Sequence, residues 1–129
     1  MEPFDAASLE DADVIVDALF GTGFRGSIEG EAARVVEAVD RSDAAVVSVD
    51  IPSGVDGSTG RCPGPCISAD VTVAMGAEKM GTAIGDGAAR AGSVVVADID
   101  EALRLLEDEH YCRYLEVCPV CAFLARFKG

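Results

Sequence analysis

The chain has 129 residues, room for one domain of ordinary size and too few for two comfortable cores. Ten basic against 23 acidic residues give a formal net charge of -13, a balance that repels phosphate backbones and anionic bilayers and argues against nucleic-acid or membrane-surface partners. Hydrophobic residues make up 50% of the chain, yet no apolar run approaches the ~20 residues that a membrane-spanning helix needs.

The chain opens with five acids and no base between Met1 and Asp13, which reads as neither a secretory signal nor a transit peptide, so a cytoplasmic protein is expected. Lysine occurs only at Lys79 and Lys128, and arginine supplies the other eight cations. Acid-rich, lysine-poor surfaces resemble those adapted to high salt, where screening relieves self-repulsion; an ordinary acidic enzyme is the plainer alternative. Five cysteines, an odd number without a secretion signal, argue against a disulfide framework.

The segment from Asp13 to Phe20 is a short apolar run ending in a glycine turn, which predicts a buried strand. From Ile28 to Arg41, the residues Ile28, Ala32, Val35, Val36 and Val39 recur at helical spacing, with Ser27 placed as an N-cap. Ala44 to Val49 is a β-branched run of the kind found in strands covered on both faces. Asp50-Ile51-Pro52-Ser53-Gly54 breaks it, since proline and glycine do not continue a ladder. Residues 54–68 lack periodicity and predict a loop. Asp70 to Gly76 and Ser93 to Ala97 predict two further strands, joined by a glycine-rich connection with a short helical turn near Ala88; a brief helix is expected over Glu101 to Glu107. The whole predicts an α/β fold with a mostly parallel sheet, thinly covered by helices.

Gly21-Thr22-Gly23-Phe24-Arg25-Gly26 matches the G-x-G-x-x-G pattern that lets backbone amides face a pyrophosphate, and Asp50 follows at the end of the next strand. Against that reading, Asp17-Ala18-Leu19-Phe20 separates the strand core from the first glycine; a ligand-free glycine turn is the alternative. Asp50 leads a turn just beyond the carboxyl end of an apolar strand, where open α/β sheets bind ligands and where a partly desolvated carboxylate suits general-base work. Its alternative is a turn that merely closes the strand.

Three motifs agree in order and spacing: Val14 to Gly23, Val49-Asp50-Ile51-Pro52-Ser53-Gly54, and Gly76-Ala77-Glu78-Lys79-Met80-Gly81 followed by Gly92 to Ile99. Together they resemble the YjeF N-terminal family, the NAD(P)HX epimerases, over about Asp11 to Asp100. The resemblance implies a Rossmann-like three-layer α/β sandwich, here incomplete at its N-terminal side. It implies an isomerase that interconverts the R and S epimers of hydrated NADH or NADPH in nicotinamide nucleotide repair. An ADP- or ATP-dependent NAD(P)HX dehydratase is the implied functional partner, and a homodimer is left open. Asp17 and Ser53 resemble the family's ligands for a potassium ion. Gly21, Thr22, Gly23, Phe24, Arg25, Gly26 and Ser27 resemble its substrate-binding loop, with a phosphate contact or a solvated side chain as the two readings of Arg25. Asp50 resembles the aspartate that contacts substrate and transfers a proton. A cation held by hard oxygens fits a site that must admit phosphates beside two aspartates.

Two departures stand out. The family's asparagine- and glycine-rich N-N-G-G-D loop has no counterpart, for the chain contains no asparagine. The expectation is therefore a partial domain over residues 1–100, with half of the site supplied from elsewhere or lost, followed by an atypical cysteine-containing tail over 101–129. In that tail His110, Cys112, Cys118 and Cys121 offer a zinc set, a redox dithiol or simply apolar packing. Cys62 and Cys66 read as incidental. A non-catalytic nucleotide-binding module, or a fragment of an NAD-dependent oxidoreductase, are the rival functional readings.

Overall fold

The computed structural model describes Phe4, residues 6–9 and residues 11–98; the helix expected near Glu101 and the cysteine tail lie outside the described residues. After a 3-10 turn at Ala6–Leu9, the chain runs β1 (Val14–Asp17), α1 (Gly30–Asp40), β2 (Ala45–Val49), β3 (Val71–Met75), α2 (Met80–Ala83), α3 (Gly85–Arg90) and β4 (Ser93–Ala97). All three strand pairings are parallel, in the sequential order β1-β2-β3-β4, with Asp17 opposite Ser48, Ser48 opposite Thr72 and Thr72 opposite Val94. This is the parallel sheet with helices that an α/β, Rossmann-like fold requires.

Sequential order has a consequence for cover. Right-handed crossovers that always step in one direction place every connection on the same face of the sheet. The side chains obey this. Val46, Ser48, Thr72 and Ala74 are buried on the face under the connections. On the opposite face Val14, Val16 and Val95 are 56%, 65% and 54% exposed. β1, expected as a buried strand, is thus exposed on one face, and β2, expected to be covered on both, has Val46 and Ser48 buried but Val47 and Val49 only half-buried among the described residues.

The core forms where α1 meets that sheet. Val36 and Val39, three residues apart on one helix stripe, pack with Ile28, Val46 and Ile67, and Ala32, Ala33 and Val35 widen the contact. Each such buried aliphatic side chain contributes about 1.5–3 kcal/mol. Glu31, Arg34, Glu37 and Asp40 take the solvent side, with Arg41 and Glu37 paired one turn apart at 2.9 Å. The expected cap is different: Glu29, not Ser27, precedes α1, and the Ser27 hydroxyl donates instead to its neighbour's carbonyl at 3.4 Å.

Between β2 and β3 the chain lacks a helix but does not lack a core. Ile51, Val55 and Cys66 form a second buried cluster, with Cys62 packed against it. The segment is tied by Ile67 N–H to the Ser53 carbonyl at 2.9 Å and by Asp56 N–H to the Arg61 carbonyl at 3.0 Å. Gly54 is obligatory there: its φ is +98°, and a Cβ would stand 2.5 Å from the Pro65 carbonyl and 2.8 Å from the Cys66 sulfur.

Candidate active site at the carboxyl edge of the sheet

Because the strands are parallel, their carboxyl ends share one edge, and the residues singled out from the sequence gather there. β1 ends on Asp17, which is only 4% exposed. A buried carboxylate must be supplied with donors, and four point at it. Oδ2 accepts the Ser48 hydroxyl at 2.7 Å and the Ser53 N–H at 2.8 Å; Oδ1 accepts the Ser53 hydroxyl at 2.6 Å and the Leu19 N–H at 3.4 Å. The Ser53 oxygen in turn accepts the Phe20 N–H at 3.0 Å and lies 3.5 Å from the Phe20 carbonyl oxygen. Asp17 and Ser53, 36 residues apart, are thus in direct contact. The knot joins the end of β1, Ser48 near the end of β2 and the turn after β2.

Asp50 follows β2 and is the one non-glycine residue at positive φ among the described residues, at +73°. Aspartate tolerates the left-handed region better than most residues, yet such conformations cost of order 1 kcal/mol and gather at functional sites. Its N–H is held by the Val73 carbonyl at 2.7 Å, and its Oδ1 accepts the Met75 N–H at 3.2 Å. The same oxygen meets the Lys79 ammonium at 2.6 Å, with about a fifth of each side chain exposed. Oδ2 has no hydrogen-bond partner among the described residues, and a Cβ added to Gly21 would come within 3.9 Å of it. The glycine loop and the aspartate therefore face each other across the edge.

The loop itself turns through a Phe24 N–H to Gly21 carbonyl bond of 3.1 Å, with the Phe20 and Phe24 rings stacked obliquely at 4.7 Å. Arg25 is used internally. Its guanidinium donates to the Thr22 and Phe24 carbonyls, each at 2.8 Å, and to the Ser58 hydroxyl at 3.2 Å, and it sits 3.6 Å from Asp56. Asp56 accepts the Ser58 and Thr59 N–H groups, both at 2.9 Å, and these hold its carboxyl below the ordinary value of 3.8, with Arg25 adding less. So Arg25 pins its own loop to the next one, which leaves it little freedom as a phosphate ligand. An open cavity of about 590 Å³ meets the glycine loop at Gly26 and is lined also by Asp56, Arg61 and Asp86; its two acids suit a phosphate poorly.

Two features separate this edge from an NAD-dependent oxidoreductase. The helix does not begin on the third glycine: α1 starts at Gly30, four positions beyond Gly26. Its start carries Glu29 and Glu31, two carboxylates that already complement the helix dipole and repel pyrophosphate. Lys79 was not singled out by the sequence reading, although it lies inside one of the quoted motifs. The available signal was its rarity, since it is the only lysine before Lys128.

Comparison with known proteins agrees with the geometry. A family model described as YjeF-related protein N-terminus matches residues 1–81. The chain is 41% identical over 110 residues to a bifunctional NAD(P)H-hydrate repair enzyme Nnr of Moorella thermoacetica, covering 85% of this chain and 21% of that protein. A protein of the same name from Thermofilum pendens is 48% identical over 96 residues, 74% of this chain and 18% of its own length. An NAD(P)H-hydrate epimerase of Limosilactobacillus fermentum is 45% identical over 94 residues, 73% of this chain and 45% of its own length. The chain spans less than half the length of each of these relatives. With the match extending over most of its residues and its motifs meeting at one sheet edge, this chain belongs to the YjeF-related protein N-terminus family.

Proposed function

We propose that the chain carries an NAD(P)HX epimerase site, in which the edge formed by Asp17, the glycine loop, Asp50 and Ser53 receives the hydrated nicotinamide coenzyme and Asp50 moves the proton. The names of the relatives, NAD(P)H-hydrate epimerase and NAD(P)H-hydrate repair enzyme, support the substrate class. The observation that carries the proposal is the placement of Asp50. Its carboxylate stands in a left-handed turn at the end of a parallel strand, with one oxygen anchored and the other turned to the glycine loop. A group meant only to close a strand has no need of that arrangement, whereas a general base needs a fixed carboxylate with an unoccupied acceptor.

In this reading Gly21, Thr22 and Gly23 admit the coenzyme close to the backbone, while Phe24, Arg25, Gly26 and Ser27 brace the loop. The bifunctional relatives support a functional partner that dehydrates the S epimer, as a linked domain or a separate protein. We include a potassium ion. Asp17, Ser53 and the Phe20 carbonyl are an oxygen-only set, with no sulfur or nitrogen ligand among them, which suits a hard cation. Asp17 and Ser53 would hold it, Asp17 giving up one of its present donors, and bound there it supplies positive charge to a site with two carboxylates.

The test is turnover. The pure R epimer of NADHX, incubated with the chain in potassium buffer, should give S epimer well above the spontaneous rate, as followed by chromatography. A rate equal to the spontaneous one, with NADHX still bound, would favour a nucleotide-binding module instead.

A further inference from the structure

We infer that Lys79 is a positioning residue for this proton transfer: it clamps one oxygen of the Asp50 carboxylate and thereby assigns the other, Oδ2, as the atom that exchanges a proton with substrate. The inference rests on the reading of Asp50 given above and adds to it a second residue and a specific atom.

Lys79 stands just before α2, where the chain doubles back from β3. Its ammonium donates to the Met75 carbonyl at 2.7 Å and the Ala77 carbonyl at 2.9 Å, and forms an ion pair with Asp50 Oδ1 at 2.6 Å. These three contacts fix the ammonium against the end of β3. The anchored oxygen is filled from two sides, since Oδ1 also accepts the Met75 N–H at 3.2 Å. Oδ2, by contrast, is turned toward Gly21, whose missing side chain leaves that approach open.

A solvated surface ion pair contributes little. This one is about four-fifths buried, and its main effect is geometric, for a misplacement of about 1 Å at a reacting group costs roughly 100-fold in rate. The chemistry also selects lysine. A compact ammonium takes one carboxylate oxygen, while the planar fork of arginine takes both. During the reaction Oδ2 accepts a proton from the hydrated ring and returns one to it, so the carboxylate ends as it began and Lys79 keeps its pairing with Oδ1 throughout.

The experiment compares wild type, K79A, K79M and K79R in R-to-S conversion of NADHX, with thermal melts to confirm folding. K79A and K79M should lose kcat by roughly 100-fold with KM within about threefold, since the clamp acts on the reacting group rather than on binding. Ethylammonium added to K79A should restore about tenfold of the loss in a concentration-dependent way, and K79R should stay impaired because its fork occupies Oδ2. The inference is overturned by K79A with wild-type kcat, by K79R equal to wild type, by a loss confined to KM, or by a folded K79A that no amine rescues. Absence of turnover in wild type would instead refute the epimerase reading. The clamp is then read from the carboxyl carbon resonance of Asp50: a shift in K79M upholds it, and an unmoved resonance removes it.

Discussion

Replacing Asp17 by alanine removes the acceptor on which three short hydrogen bonds converge, at 2.6, 2.7 and 2.8 Å in a site 4% exposed. The three donors are not equal. The Ser48 and Ser53 hydroxyls can rotate, and Ser53 has the Phe20 carbonyl within 3.5 Å as a second acceptor. The Ser53 N–H is fixed by the backbone and has nowhere to turn. One unmet buried donor costs about 1–3 kcal/mol, and each charge-assisted bond lost adds up to a similar amount, so D17A should lose about 3–5 kcal/mol. For a domain of this size that lowers Tm by at least about 12 °C. Asparagine is milder. With its carbonyl oxygen at the Oδ2 position it still accepts from Ser48 and the Ser53 N–H, and its NH2 can donate to the Ser53 oxygen; about 1–2 kcal/mol is expected. Urea denaturation in potassium-free buffer separates this structural role from any ion. D17A within about 0.5 kcal/mol of wild type would refute the buried knot, and D17N as damaging as D17A would mean that charge, not acceptor placement, holds the turn.

Other expectations follow from the same contacts. V36A, at a site 1% exposed, should cost about 2–3 kcal/mol in denaturant melts, whereas V16A, at 65% exposed on the open sheet face, should cost under about 0.5. G54A combines a positive φ with contact against Pro65 and Cys66 and should destabilise by at least about 2 kcal/mol, which a thermal melt checks directly. Burial, with the neighbouring Cys62 thiol, pushes Cys66 from an ordinary 9.0 up to about 12, so alkylation at pH 8 should spare Cys66 relative to Cys62, as read by peptide mass mapping. The folded state then binds the Cys66 proton more tightly than the unfolded chain, so stability should be level below about pH 9 and fall as pH rises from 9 toward 12, less steeply in C66A. Asp56 works in the opposite sense: its lowered value gives stability that is present above 3.8 and lost as pH falls through the folded value, a dependence that D56N should flatten.

Much of the sheet can be read directly from the chain, because Val14–Asp17, Ala45–Val49, Val71–Met75 and Ser93–Ala97 are β-branched runs bounded by turn residues. The side of the sheet on which cover lies is not written in any one run; it emerges from strand order, which only the pairing reveals. Of the two short helices, the turn expected near Ala88 is α3, while α2 is hidden for a different reason. Residues 80–90 are interrupted by Gly81, Gly85 and Gly87, and what settles them is contact: Gly81 N–H reaches the Gly57 carbonyl and Gly87 N–H the Gly60 carbonyl, both at 2.9 Å. A side chain at Gly81 would run into the Asp56 carbonyl, and one at Gly87 into the Gly81 carbonyl, so these glycines mark close packing, not disorder.

The site divides in the same way. Asp50 announces itself through its turn, whereas Asp17 stands out only through the family resemblance. Their partners are long-range. Lys79 lies 29 residues from Asp50, and Ser48 lies 31 from Asp17 and meets it only because β1 and β2 pair in that register. Ser27 does not cap the helix because α1 begins only at Gly30, and its hydroxyl lies where a side chain on Gly64 would stand, a proximity no local pattern encodes.

The most direct test of the function proposed here is the rate at which D50N converts R-NADHX to the S epimer, set beside wild type in the same potassium buffer. Asparagine keeps the shape and the Met75 contact but cannot accept a proton, so kcat should fall by at least about 100-fold while NADHX still binds. Wild-type turnover in a folded D50N would contradict the account at its centre, for the carboxylate would then be a turn residue and the proton would be moving somewhere else.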